Sequence, residues 1–209
     1  MDCSEIVSIA KEFVIAGSAL TGAIVAVLGL NTWKQQLKGS VEYELARRCL
    51  VTLYRYRDAI GRVRNPAIWT SEFEALGQLI SENKSDNEVH FLKLLGVYEA
   101  RWAGVQTEKA AMYTDLVESE AIWGAGLTER FDKVFSLEQQ LLQVIRNYLS
   151  AQDPNENAAM KEIAEKNLRQ NRWILYSRGN EDDLFEKELT GAVSAIEIYL
   201  KPHIRAGKR

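Results

Sequence analysis

The sequence has few of the residues that punctuate or cross-link a chain. It contains 3 Pro and 13 Gly in 209 residues, too few for a collagen-like, low-complexity or turn-dense all-β protein. Its two cysteines, Cys3 and Cys49, cannot build a disulfide framework. Its two histidines, His90 and His203, leave no His/Cys set with zinc spacing. No glycine-rich phosphate loop, nucleophile elbow, kinase signature or Glu-x-x-His pair of a di-iron bundle occurs. No metal or cofactor is expected, and no catalytic residue can be named. Five Trp, eight Tyr and 46% hydrophobic residues exclude a disordered chain.

Charge is missing from one place in particular. Residues 13–30, FVIAGSALTGAIVAVLGL, carry none, and their only polar side chains are Ser18 and Thr21. Eighteen helical residues span about 27 Å, close to the roughly 30 Å hydrocarbon core of a bilayer. A soluble helix of this length keeps a wet side. A cleaved signal peptide needs a basic start, whereas Asp2, Glu5 and Glu12 outnumber Lys11, and no Ala-x-Ala site follows. The expectation is an uncleaved transmembrane helix, with Trp33, Lys34 and Lys38 at the membrane interface. Lys34, Lys38, Arg47 and Arg48 outweigh Lys11 across the span. The positive-inside rule therefore leaves residues 1–12 outside and places residues 40–209 in the cytoplasm. Ser18, Gly22 and Ala26 form a small-xxx-small row through which two anchors could pack.

Beyond a juxtamembrane segment, 31–39, the helical period dominates. Gly39-Ser40 reads as a helix end and a new N-cap. Leu45, Cys49, Leu53, Tyr56, Ile60 and Val63 then form one apolar stripe up to Asn65-Pro66. Ser71 with Glu74 and Ser85 with Glu88 read as capping boxes. The first opens a short helix over Phe73, Leu76, Leu79 and Ile80. The second opens a long one carrying Phe91, Leu92, Leu95, Tyr98, Trp102 and Val105, ended by Gly124 and Gly126. Another helix uses Leu127, Phe131, Val134, Phe135, Leu141, Leu142, Ile145 and Leu149. Asp153-Pro154 predicts the next start and Gly179 its stop. The acids 181–183 open a last helix, with Leu184, Leu189, Val193, Ile196 and Leu200 inside and Pro202 closing it. The predicted fold is all-α: one membrane helix and a cytoplasmic bundle of about six helices over 40–209.

Little in this pattern carries chemistry. Asp86 and His90 share a helix face, but Asp86 has an ordinary place in a first turn. The acids Glu108, Asp115, Glu118 and Glu120 read as a solvated face or a binding patch. Arginine is the exception. Arg47, Arg48, Arg55, Arg57, Arg62 and Arg64 face a single acid, Asp58, within eighteen residues. Arg48, Arg55 and Arg62 form a row beside the apolar stripe, with Arg57 and Arg64 on its other side. The row reads as an anion or partner contact, or as wet heads bordering a core seam, with Glu44 placed to pair with Arg48 and Asp58 with Arg62. Nucleic acid is a poor partner, since acids outnumber bases beyond residue 40. Lipid contact by the row would require the chain to turn near Gly39.

The chain resembles a group of bacterial proteins with no assigned activity, which have a short N-terminal membrane helix and an all-helical cytoplasmic region. The matching stretches are Trp33-Lys34, Glu44-Leu45-Ala46-Arg47-Arg48, Arg57-Asp58-Ala59-Ile60, Val63-Arg64-Asn65-Pro66, Glu120-Ala121-Ile122-Trp123-Gly124 and Tyr199-Leu200-Lys201-Pro202. The resemblance implies topology and transfers no activity. The functional expectation is a membrane-anchored interaction, scaffold or regulatory protein, non-enzymatic, that meets lipid through 13–30 and a protein partner or a second copy through its domain. The alternatives are an effector of toxin or phage-defence type acting through clustered anchors, and an enzyme with an unfamiliar site.

Overall fold

The first helix, α1 (Cys3–Val63), is 61 residues long. It passes straight through Gly39 and Ser40, where the sequence predicts a break. A glycine inside a helix costs only about 1 kcal/mol, and propagation along a long helix outweighs it. A Lys38–Glu42 pair one turn apart also bridges the position. The turn that lipid contact by the arginines requires is therefore absent, and residues 31–39 are helix.

In this computed structural model the described residues are 3–72, 84–179 and 182–206, with the side chains of 3–16, 19 and 206 outside the description. After α1 come α2 (Asp86–Trp123), α3 (Thr128–Gln152), α4 (Ala158–Leu175) and α5 (Leu184–Ala206). Residues 70–72 are also helical, and no strand occurs among the described residues. The protein is an all-α helical bundle. The expected helix over Phe73, Leu76, Leu79 and Ile80, with Glu74 of its capping box, lies outside the described residues.

Two units divide the chain, Met1–Glu44 with His203–Arg209, and Leu45–Pro202. In the first, Leu20, Ile24, Val25, Val27, Leu28, Leu30 and Trp33 are each more than half exposed. Thr21 Oγ1 donates to the Gly17 carbonyl at 2.8 Å and Thr32 Oγ1 to that of Leu28 at 2.9 Å. Among the described residues no helix is long and apolar enough to cross a membrane. Phe13, Val14, Ile15, Ala16 and Ala19 of the expected span lie outside the described side chains.

The second unit holds the core. Leu45, Cys49, Leu53, Tyr56, Ile60 and Val63 are all fully buried, as their spacing predicts. On α2 the buried seam is Leu94, Val97, Tyr98, Val105, Met112 and Leu116. Phe91, Leu92, Leu95 and Trp102 are half-buried rather than central. The helix has two apolar faces, and the seam facing its neighbours is rotated from the one the sequence favours. On α3, Leu137 and Val144 join the core, while Phe135, Leu142 and Leu149 are half-buried.

Caps decide the remaining boundaries. Ser85 and Glu88 form the expected capping box, and Gly124 ends α2 at φ 74°, in the region that favours glycine. The start at Asp153-Pro154 is corrected. Asp153 caps the end of α3, and its Oδ1 accepts from the Asn155 N–H at 2.9 Å, closing a turn. Asn157 is the N-cap of α4, accepting from the Ala159 N–H at 2.9 Å. Asp183 caps α5 by accepting from the Glu186 N–H at 3.0 Å. This cap turns Phe185 inward and leaves Leu184 exposed. Pro202 does not close α5, which runs on to Ala206. The carbonyl that Pro202 cannot pair belongs to Ile198, an exposed residue.

Candidate functional site

On α1, positions 47, 48, 51, 52 and 55 fall on one face at helical spacing. Across from them α2 presents Ala111, Thr114 and Asp115. Between the two helices lies an open cleft of about 430 Å³, lined by Arg47, Arg48, Val51, Thr52, Arg55, Ala111, Thr114 and Asp115. The arginine row and the acidic face, separate in the sequence, meet here.

Asp115 is buried in the floor. Its Oδ2 accepts from Thr52 Oγ1 at 2.9 Å and its Oδ1 from Arg48 Nε at 3.3 Å. Arg48 Nη2 donates to Glu118. Desolvation works to lower the Arg48 pKa, but Glu118 and Asp115 outweigh it and hold the guanidinium above its ordinary value. Beneath the cleft, burial pushes the Cys49 thiol up to about 12, helped by the Asp115 charge, so this cysteine is an inert core residue.

The other arginines of the row differ in their surroundings. Arg55 and Arg62 are exposed, and neither makes an ion pair among the described residues. Arg57 pairs with Asp58 at 2.8 Å and lies over the Tyr54 ring at 5.2 Å. Asp58 is thus taken up by Arg57, not by Arg62. Arg64 is fully buried and is a structural residue. Its Nε donates to the Ile174 carbonyl at 2.8 Å and its Nη2 to the Tyr176 carbonyl at 3.1 Å. The same Nη2 meets both Asp183 oxygens at 2.9 and 3.0 Å, and the guanidinium lies over the Phe185 ring at 4.4 Å.

The remaining candidates stay apart from the cleft. Ser18, Gly22 and Ala26 are exposed on α1, and a Cβ at Gly22 would meet nothing within 4 Å. Trp33 and Lys34 are exposed too, and Lys38 sits beside Glu42. His203, expected in solvent, is half-buried with Nδ1 3.5 Å from Glu42. Asp86 and His90 are exposed, with no hydrogen bond joining them. Among the described residues no three His, Cys, Asp or Glu converge on a metal position.

A second polar cluster lies inside the bundle. Glu138 is fully buried and pairs with Lys109, and Gln106 Nε2 donates to it at 3.3 Å. The Tyr56 hydroxyl, beside Glu138, is buried too. Burial, with the Glu138 charge, raises its pKa well above the ordinary phenol value. The Lys109–Glu138 pair ties α2 to α3.

Sequence reasoning missed Val51, Thr52, Ala111 and Thr114 as neighbours of the arginines. Val51 and Thr52 follow Arg47 and Arg48 by four, a detectable signal. Nothing in the sequence says which face of α2 meets them. No protein-family model, curated protein or solved structure matches the chain.

Proposed function

We propose that this chain is a membrane-anchored interaction or regulatory protein, held in a bilayer by 13–30 and meeting an anionic partner through the arginine-bearing face of α1. One observation carries the anchor. Leu20, Ile24, Val25, Val27, Leu28 and Leu30 are all exposed, and at 100° per residue they spread over about 220° of the helix, with small residues on the remainder, a wider apolar surface than one stripe. A protein groove covers one face of a helix; lipid covers all of them. The Thr21 hydroxyl, bonded back to the Gly17 carbonyl of its own helix, satisfies the rule that polar groups in hydrocarbon need internal partners. The flanking charges favour an outside N-terminus and a cytoplasmic bundle.

Full-length protein expressed in bacteria should float with membranes and resist alkaline carbonate. Release into the soluble fraction would contradict the anchor. Partners recovered from solubilised membranes should fall at least severalfold with Arg57→Glu combined with Arg62→Glu, while helicity is kept. Unchanged recovery would remove the arginine face from the contact.

A further inference from the structure

The outward face of α2 has no charge over most of its length. Ala103, Thr107, Ala110, Thr114, Val117 and Ala121 follow one another alternately by four and three residues, and all are exposed. They make a line about 27 Å long, on the side of a surface helix that ordinarily turns charge to water. Val117 alone is 70% exposed. Thr107 Oγ1 donates to the Ala103 carbonyl at 2.9 Å and Thr114 Oγ1 to that of Ala110 at 3.3 Å, so both hydroxyl protons are used within the helix. Side chains this short let a second helix come to the near end of the roughly 8–10 Å interaxial range.

Charge borders the line on both sides, with opposite sign. On the α1 side, Arg48 is taken up by Asp115 and Glu118, Arg57 by Asp58, and Arg47 is engaged as well. Arg55 and Arg62 are left, exposed and without an ion pair among the described residues. The other border is the row Glu99, Gln106, Tyr113 and Glu120, spaced by seven. It lies toward α3, since Gln106 donates to Glu138 and Tyr113 stacks on Phe135 at 5.2 Å. Glu99 and Glu120 are exposed and likewise make no ion pair among the described residues. Asp132 and Arg146, exposed on α3, add one charge of each sign.

We propose that two copies of this chain pack α2 against α2 along this line, related by a two-fold axis parallel to the helices. That axis lays the arginine border of each copy on the glutamate border of the other, whereas an axis across the helices sets arginine on arginine. The bonds Thr52–Asp115 and Arg101–Asn65 fix α1 and α2 as antiparallel and put Arg62 near the level of Glu99. Arg62 therefore faces Glu99 of the second copy, and Arg55 faces its half-exposed Tyr113 ring. An uncharged seam between charged borders is the anatomy of a protein interface. The inference rests on the reading of the arginine face as a contact surface, names a second copy as what it meets, and does not depend on the anchor.

Cysteine cross-linking of the full-length protein tests it. In a Cys3→Ser background, Ala103→Cys, Ala110→Cys and Val117→Cys are each oxidised with copper phenanthroline in whichever cell fraction holds the protein. All three should give disulfide-linked dimers, because a parallel seam brings each position to its own copy. Gln170→Cys, exposed on α4, should give none. Arg62→Glu and Glu99→Arg should each cut the Ala110→Cys cross-link severalfold, and together they should restore it. Cross-linking at only one of the three positions means an antiparallel pairing and overturns the axis. Cross-linking no stronger than at Gln170→Cys in folded protein overturns the seam, and is what association through Ser18, Gly22 and Ala26 alone would give. Failure of the double substitution to restore the link overturns the charge match. If the links fail while Arg57→Glu with Arg62→Glu still lowers partner recovery, this inference falls and the partner reading stands.

Discussion

Arg64 and Arg55 lie nine positions apart on one helix and meet opposite fates. Arg64 is enclosed where α1 ends, and its donors are shared among the carbonyls of Ile174 and Tyr176 and the carboxylates of Asp183 and Glu186. A guanidinium can be buried this way because nearly every N–H finds an acceptor and the charge is matched. Burial pushes the Asp183 pKa up, but the Glu186 N–H, the Arg64 guanidinium and the Arg178 N–H together hold it below its ordinary 3.8. Asp183→Asn keeps an N-cap for α5 and removes the charge. It should destabilise the bundle by about 3 kcal/mol at pH 7, the scale for breaking a buried pair, read by chemical denaturation. Because the folded pKa is depressed, that stabilisation is complete above about pH 4 and lost as pH falls through the folded value. The gap between wild type and Asp183→Asn should therefore narrow in acid. A gap that is constant with pH would mean that the pair's charge is not what matters.

At the scale of the element, boundaries follow local chemistry more closely than the apolar pattern does. The Ser85–Glu88 box is legible because both partners are three residues apart in the chain. Asp153-Pro154 and Asn157 compete for the start of α4. Asn157 wins because Asp153 already closes the turn that ends α3. Asn157→Ala should cost about 1 kcal/mol and Asn157→Asp almost nothing, measured by urea unfolding; equal losses would place the cap elsewhere. Gly39 and Pro202 both resemble helix stops in the sequence, and both lie inside helices. A breaker residue sets a cost, and its surroundings decide whether that cost ends the helix. The same reasoning explains Leu184, which fits the apolar spacing of α5 yet is exposed, because the Asp183 cap orients the first turn around Phe185.

For the molecule as a whole, one helix serves two environments. Its residues 45–63 turn a buried stripe into the bundle, whereas its large apolar residues between 20 and 30 are each more than half exposed among the described residues. If lipid supplies that cover, hydrogen exchange in phosphatidylcholine nanodiscs should be slow for amides 20–30 as well as for 45–63. Fast exchange confined to 20–30 would argue against a bilayer around them. Local information by itself determined the helical class, the core stripe of α1, the charge-free stretch and the wealth of arginine near residue 55. Each depends on spacing within a few turns, which a linear chain records. The tertiary structure decided which arginine is buried, which face of α2 meets α1, and that Asp115 and Glu118 brace Arg48 at the cleft. Those outcomes depend on pairings across 67 to 119 residues of sequence, where helical spacing carries no information and only packing selects the partner.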